Sequence, residues 1–312
     1  MANQETQQLD EIISSRRTMM TLGGAALAGI FLTGTSKAQS AISDNDVLNF
    51  ALNLEYLEAQ FYNLAAFGVT IDKLPTPIPV SVNGGTAGSV ALKPSFAKVP
   101  FTNPLNADYA METAIEEGKH VTFLQGALGT NAVSMPNLDL YTSFNTLAMA
   151  AGIGPAFDPF ANDAFFLVGA YIFEDVGVTA YHGAAGAITS KDTLGAAAGI
   201  LAVEAYHAGL IRTALNQLDA GAGTLAGLTQ KISATRSKLA NPSGTPVDDI
   251  GLTTANVTLN GSASLSATTF VDADANSVAF ARTPAQILQI VTGGSSTNKG
   301  VFFPDGLNGT IK

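Results

Sequence analysis

Apolar positions recur with the period of an α-helix in four long segments of the chain. The first opens with a capping box, in which Ser43 is the N-cap and Asp46 the third helical residue. A long connection separates the second segment from the third, and a short one separates the third from the fourth. This order predicts a mainly α protein, a four-helix bundle with a long crossover. The four segments cover about 43–67, 106–128, 162–187 and 193–218.

Two of these segments carry a Glu-x-x-His spacing inside the apolar stripe. Glu117 precedes His120, and Glu204 precedes His207. Residues three apart lie on one face of a helix, so each pair points into the predicted core. A buried carboxylate and a buried imidazole both need partners, and a metal ion satisfies both.

The two halves of the chain repeat one pattern. Glu55 is followed seven residues later by Tyr62, and Glu174 is followed seven residues later by Tyr181. Each half therefore supplies one Glu and then Glu-x-x-His, the ligand set of di-iron and di-manganese carboxylate bundles. The predicted metal ligands are Glu55, Glu117, His120, Glu174, Glu204 and His207.

Three further residues belong to the same stripes. Glu58 faces the core but is matched by Gly177 in the second half, so it is either an extra ligand or a carboxylate that supports the ligands. Tyr62 and Tyr181 either donate hydrogen bonds to the opposite carboxylates or serve packing alone. Four other titratable residues are interpreted as solvated charges (Glu112, Glu116, Asp175) or as a structural or surface residue (His182).

The amino-acid composition excludes several kinds of site and partner. The chain has no Cys, which excludes thiol catalysis, iron–sulfur clusters and disulfides. Its net charge of −10 argues against nucleic acid as a partner. Carboxylates with imidazoles suit iron or manganese better than zinc or copper, so the expected cofactor is two Fe or two Mn ions.

The N-terminus is typical of an export leader. Arg16 and Arg17 resemble a twin-arginine motif, and a short apolar stretch and a small-x-small site before Ala41 follow. The stretch is too short for a membrane span. The prediction is a leader over 1–40 and a periplasmic or extracellular protein; the alternative is a cytoplasmic N-terminus with a chance arginine pair.

The remaining segments interrupt or follow the bundle. Residues 68–104 are rich in Pro and Gly and form an insertion in which two short apolar runs could pair as a β-hairpin. The chain after the fourth helix mixes helical patterns, near 228–239 and 287–291, with two strand-like runs that could pair with the insertion. The predicted domains are the leader 1–40, a bundle over 41–225 and a C-terminal extension over 226–312 packed on it.

Several segments together resemble the ferritin-like, desiccation-related proteins of plants and bacteria. Both Glu-x-x-His pairs carry the resemblance, and so do five further segments: 54–62, 231–239, 274–284, 287–291 and 302–309. It covers nearly everything after the leader. The resemblance implies a ferritin-like bundle and a link to stress or drying, but it supplies no reaction.

The sequence therefore predicts an exported ferritin-like metalloprotein that protects against oxidative or desiccation stress. A di-metal site could act on peroxide, as manganese catalases with a similar ligand arrangement do, or on O2 as a ferroxidase. The alternative is a non-enzymatic scaffold that binds or sequesters metal, or one whose six polar groups satisfy one another. Expected partners are metal ions and a small oxidant, with a possible homo-oligomer, no nucleic acid and no membrane span in the mature chain.

Overall fold

The structure, a computed structural model, describes residues 42–244, 248–258 and 264–312. The predicted leader and its cleavage site lie outside these ranges, and so the division into leader, bundle and extension stays a prediction. Seven helices occur in the described part of the chain, together with short 3-10 turns at Ile71–Lys73 and Gly129–Asn131. The helices are α1 (Asp44–Phe67), α2 (Pro104–Leu128), α3 (Thr142–Ala150), α4 (Asp163–Ala185), α5 (Lys191–Asp219), α6 (Thr224–Ala240) and α7 (Pro284–Val291).

Four of the helices form the predicted bundle. Helix α1 packs along α2, and α4 packs along α5; the two pairs meet through α1 against α4 and α2 against α5. Helices α1 and α4 are buried on almost every side, whereas α2 and α5 each keep an outer face in solvent. Helix α3 lies in the long connection between α2 and α4. The predicted mainly α bundle with a crossover is confirmed.

Polar caps fix where the bundle helices begin. The Ser43 side chain accepts a hydrogen bond from the Asp46 backbone, and the Asp46 carboxylate accepts one from Ser43, which completes the predicted capping box of α1. Asn103, Asn162 and Ser190 cap α2, α4 and α5 in the same way through their side chains. These caps satisfy free amide groups of the first helical turns and so fix the residue at which each helix begins.

The insertion between α1 and α2 is not a β-hairpin. Its only strand, β1 (Val90–Ala91), pairs in parallel with β2 (Leu138–Asp139) in the crossover. The Val80 carbonyl accepts a hydrogen bond from the Met135 backbone, and the Val82 backbone donates to Ser134 Oγ. The apolar runs therefore satisfy their backbone groups on a segment distant in sequence rather than on each other.

The C-terminal extension packs on the bundle through its helices. Strands β3 (Thr253–Thr258) and β4 (Ser264–Thr269) pair with each other in antiparallel register, so the suggestion that they pair with the insertion is wrong. Helix α7 lies against α4 and α6. After it, Phe302 is buried with its ring centroid 4.9 Å from that of Phe173 on α4. This tail, residues 284–312, thereby covers one side of the bundle.

Asp175, interpreted from the sequence as a solvated charge, lies in the core instead, beside an arginine of the C-terminal extension. Asp175, on α4, is 2% exposed and Arg236, on α6, is 3% exposed. Their side chains are joined by a hydrogen bond of 2.9 Å, and Arg212 donates two more hydrogen bonds to Asp175, each of 2.9 Å. Helix α4 has no solvated side on which Asp175 could lie, and the arginines come from helices that pack over it. The extension is tied to the bundle through this buried network.

Two bundle helices, α4 and α5, are long and apolar enough to cross a membrane by length and composition alone. Core helices of soluble proteins pass the same test. The most apolar window of α4 is 89% buried by other parts of the chain. The corresponding window of α5 is 33% buried, because one face of this helix remains in solvent. That outer face raises the hydropathy because it consists mainly of small uncharged residues, whereas the inner face carries Glu204 and His207. Both helices are parts of the bundle.

Candidate metal centre

The six predicted ligands meet at the centre of the four helices, within two overlapping groups. In each group the ligand-capable atoms lie within 4.8 Å of one another, and all the residues are buried. The helical period of each apolar stripe explains the meeting, because the stripe that faces the core is where these side chains lie. The first group is Glu55, Glu117, His120 and Glu204; the second is Glu117, Glu174 and His207.

The first group is arranged around the inner nitrogen of His120. His120 Nδ1 lies 3.2 Å from Glu55 Oε2 and 3.3 Å from Glu117 Oε2. Glu204 Oε1 is 3.7 Å from the same nitrogen. Three carboxylate oxygens and one imidazole nitrogen thus converge from α1, α2 and α5.

The second group is arranged around the inner nitrogen of His207. His207 Nδ1 lies 3.0 Å from Glu117 Oε1 and 3.4 Å from Glu174 Oε2. Glu117 therefore directs one oxygen to each group. The two imidazole rings have their centroids 6.4 Å apart, so the groups adjoin.

Several atoms of the cluster have no hydrogen-bond partner although they are shielded from solvent. An unpaired buried polar atom costs about 1–3 kcal/mol, and more when it is charged. Orphaned oxygens and nitrogens that point at one another are what a site for positive ions looks like. The residues present therefore fit bound metal better than they fit a self-satisfied polar core. The unpaired atoms are Glu117 Oε1, Glu174 Oε2, both oxygens of Glu204, and His207 Nδ1.

The pKa values of the cluster residues also indicate a site for positive ions. Burial and the surrounding carboxylates raise the pKa of Glu204 well above its usual value. Burial lowers the pKa of both imidazoles, but the negative charges of the nearby glutamates outweigh it and raise the pKa of His120 to about 10 and that of His207 to about 12. Without an ion the cluster therefore holds protons, and a bound metal would displace them.

Each tyrosine of the internal repeat reaches across the bundle. The Tyr62 hydroxyl, on α1, donates a hydrogen bond to Glu174 on α4. The Tyr181 hydroxyl, on α4, donates one to Glu55 on α1. Each phenol leaves the other oxygen of its carboxylate facing the cluster and so fixes the orientation of that carboxylate.

Glu58 lies outside both groups. Its side chain is 5% exposed and borders a small apolar cavity with Phe173 and with Ile290 of the tail. Burial and the charge of Glu117 raise the pKa of Glu58 well above its usual value. Burial without a described hydrogen bond therefore favours the protonated form of this carboxyl.

Gly177 takes the place of a second Glu58 because the Glu204 carboxylate occupies the space. A Cβ added at Gly177 would overlap Glu204 Oε2 and would lie 2.8 Å from Glu204 Cδ. The overlap can be relieved only if the Glu204 carboxylate moves away from its place in the cluster.

Gly177→Ala is therefore expected to displace the Glu204 carboxylate and weaken metal binding at least about tenfold, by analogy with the loss of groups that orient ligands. The matched control is Gly199→Ala on α5, where an added Cβ meets nothing within 4 Å. That variant should bind metal normally and gain about 0.5–1 kcal/mol of stability. Metal titration and thermal melting of both proteins test this, and equal metal affinities would contradict it.

One residue of the site was missed. Glu116, interpreted as a solvated charge, lies with Oε2 2.7 Å from His207 Nε2, the nitrogen that faces away from the cluster. Its side chain is 35% exposed. The sequence does place Glu116 directly before the predicted ligand Glu117. The internal repeat has no acid at the matching position before Glu204, and so it gave no reason to include Glu116 in the site. His182 remains structural, with Nδ1 3.1 Å from the Phe280 carbonyl.

The cluster is covered unequally. On the side of α1 and α4, residues of the tail, among them Val291 and Phe302, close over the helices beside Glu58. On the side of α2, Ile78 of the insertion lies so close that a Cβ on Gly118 would be 2.8 Å from its Cδ1. Between α2 and α5, however, the His120 side chain is 10% exposed and Glu116 is more exposed still. This is the least covered side of the cluster.

Comparisons with known proteins agree with this geometry. The family model described as "Ferritin-like domain" matches residues 43–217. The chain is 33% identical over 287 residues to desiccation-related protein PCC13-62 of Craterostigma plantagineum, covering 86% of this chain and 87% of that protein. It is 27% identical over 277 residues to ferritin-like catalase Nec2 of Nesocodon mauritianus, covering 86% and 85%. No solved structure matches.

Proposed function

The chain belongs to the ferritin-like family, and from its buried cluster we propose that it is a metalloprotein that holds two iron or two manganese ions and converts a small oxidant. The observation that carries the proposal is the set of orphaned, buried carboxylate and imidazole atoms at the centre of the bundle. The fold alone would not carry it, since one fold hosts many functions.

The six buried residues would divide between two metal positions. His120, with Glu55 and Glu204, would hold one ion, and His207 with Glu174 would hold the other. Glu117 would contact both, because its two oxygens belong to different groups. Bound iron or manganese supplies the gain and loss of electrons, which none of these side chains can supply at neutral pH.

The remaining side chains would control protons, water and orientation. Tyr62 and Tyr181 hold two of the carboxylates in place. Glu58 lies beside the cluster, where burial favours its protonated form. The aromatic side chains of the tail and of α4 exclude bulk water on their side, which strengthens electrostatic interactions inside.

Hydrogen peroxide is the oxidant we favour. The four carboxylates of the two groups are at most 1% exposed, which favours a small oxidant over a bulky organic substrate. The relative named a ferritin-like catalase supports peroxide over O2. The relative named a desiccation-related protein supports a role in protection during drying.

The metal-loaded protein is therefore expected to consume peroxide and release O2, two peroxide molecules giving one O2 and two waters. An oxygen electrode measures the release with manganese or iron loaded separately, and O2 uptake by the iron-loaded protein tests the ferroxidase version. Glu117→Gln should abolish either reaction. Tight metal binding without turnover in both assays would contradict the enzyme and leave a scaffold that sequesters metal.

Export would place this activity outside the cytoplasm. We propose that residues 1–40 are a twin-arginine leader, on the grounds of Arg16 and Arg17 and the small residues before Ala41. Replacing both arginines by lysine should retain the protein, uncleaved, in the cytoplasm. N-terminal sequencing of the fractionated protein measures this; an unchanged start at Met1 in the wild-type protein would contradict export.

A further inference from the structure

Glu116 holds one of the two histidines of the cluster from outside. Its carboxylate crosses from α2 to α5, where Oε2 lies 2.7 Å from His207 Nε2. The other ring nitrogen, Nδ1, faces the oxygens of Glu117 and Glu174. His207 is thus fixed between an outer carboxylate and the inner cluster.

The first half of the repeat has no such partner for its histidine. The repeat matches Glu117 with Glu204 and His120 with His207, so Glu116 corresponds to Val203. A valine cannot accept a hydrogen bond from an imidazole. Among the described residues, no hydrogen bond reaches His120 Nε2, and the contacts of this ring are made through Nδ1. The two halves are therefore unequal at this point.

An outer carboxylate changes how an imidazole binds a metal ion. By accepting the proton of Nε2 it keeps that nitrogen protonated, and so the lone pair is on Nδ1, which faces the cluster. It also holds the ring in one orientation and makes it a better electron donor. Loss of such a partner costs about 10–100-fold in metal affinity.

We propose that Glu116 is a positioning residue that makes the two metal positions unequal, so that the position beside His207 fills first and binds more tightly. This inference rests on the proposed binding of two ions. It goes beyond it by assigning the order of filling to one hydrogen bond on the outer edge of the cluster. The position beside His120, without that bond, exchanges its ion more readily.

Isothermal titration calorimetry, in which Mn²⁺ is added stepwise to the metal-free protein, tests the proposal. Wild-type protein should show a tight step and a weaker step. Glu116→Ala should weaken the tight step by about 10–100-fold and bring the two steps together. Glu116→Gln should restore part of the difference, because its amide oxygen still accepts a hydrogen bond from Nε2. Val203→Glu should strengthen the weaker step.

The control is Glu112→Ala, which removes an exposed carboxylate one turn earlier on α2. It matches the change in net charge and should leave both steps unaltered. Equal weakening of both steps by Glu116→Ala, or no weakening, would overturn the inference while the proposed function stood. Absence of any Mn²⁺ binding by the wild-type protein would instead overturn the proposed function.

Discussion

Replacing Glu117 by glutamine is expected to abolish binding of both metal ions at once. This residue alone places an oxygen in each group, near His120 on one side and near His207 on the other. Burial raises its pKa, but the two imidazoles outweigh that effect and hold the pKa below its usual value, which favours its charged form. Glutamine keeps the shape and removes the charge that two positive ions would share.

The loss of metal affinity in Glu117→Gln should exceed the roughly 10–100-fold loss that follows removal of a residue that only orients a ligand. Equilibrium dialysis against Mn²⁺ and Fe²⁺ measures it, and circular dichroism verifies that the variant is folded. Glu112→Ala, exposed on the same helix, should bind like the wild type. A Glu117→Gln protein that still holds one ion tightly would show that the two positions do not share this carboxylate.

Asp175→Ala is expected to have the largest effect on stability. The Asp175 carboxylate, 2% exposed, accepts hydrogen bonds from Arg212 and Arg236 inside the protein. Arg236 keeps Asp249 at 2.7 Å, but Arg212, which is 1% exposed, loses its bidentate partner and is left with Asp272, 3.9 Å away, as its nearest carboxylate. Breaking a buried pair by removing one partner costs about 3–5 kcal/mol, since an uncompensated charge is left behind.

Urea unfolding at neutral pH measures the difference in free energy of unfolding between the wild-type protein and Asp175→Ala. Asp108→Ala, an exposed acid on α2, is the matched control and should change the free energy of unfolding by less than about 0.5 kcal/mol. A cost below about 1 kcal/mol for Asp175→Ala would mean that water, rather than the carboxylate, can satisfy Arg212.

Helical periodicity and the internal repeat predicted the bundle and placed Glu55 and Glu174 together. That was possible because each helix presents one stripe to the core, so an acid within the stripe has to meet the acids of the other stripes. The same argument failed for Asp175. Helix α4 is buried on both faces, and the partners of Asp175 lie 37 and 61 residues away, beyond any local pattern.

Long-range backbone pairing accounts for the other differences. The insertion has two short apolar runs that could pair as a hairpin, yet its backbone groups bond to the crossover near Met135. Prolines on either side of Ile78 leave few amide donors for a local partner strand. Glu116 was missed because its partner, His207, is on another helix and the repeat has valine at the matching place.

Metal analysis of the purified protein tests the central claim most directly. Inductively coupled plasma mass spectrometry on the wild-type chain and on Glu117→Gln, each expressed with iron and manganese supplied, gives the identity and number of ions per chain. We expect two iron or two manganese ions in the wild type and none in the variant. A wild-type protein that contains neither metal, or the same content in both proteins, would contradict the account.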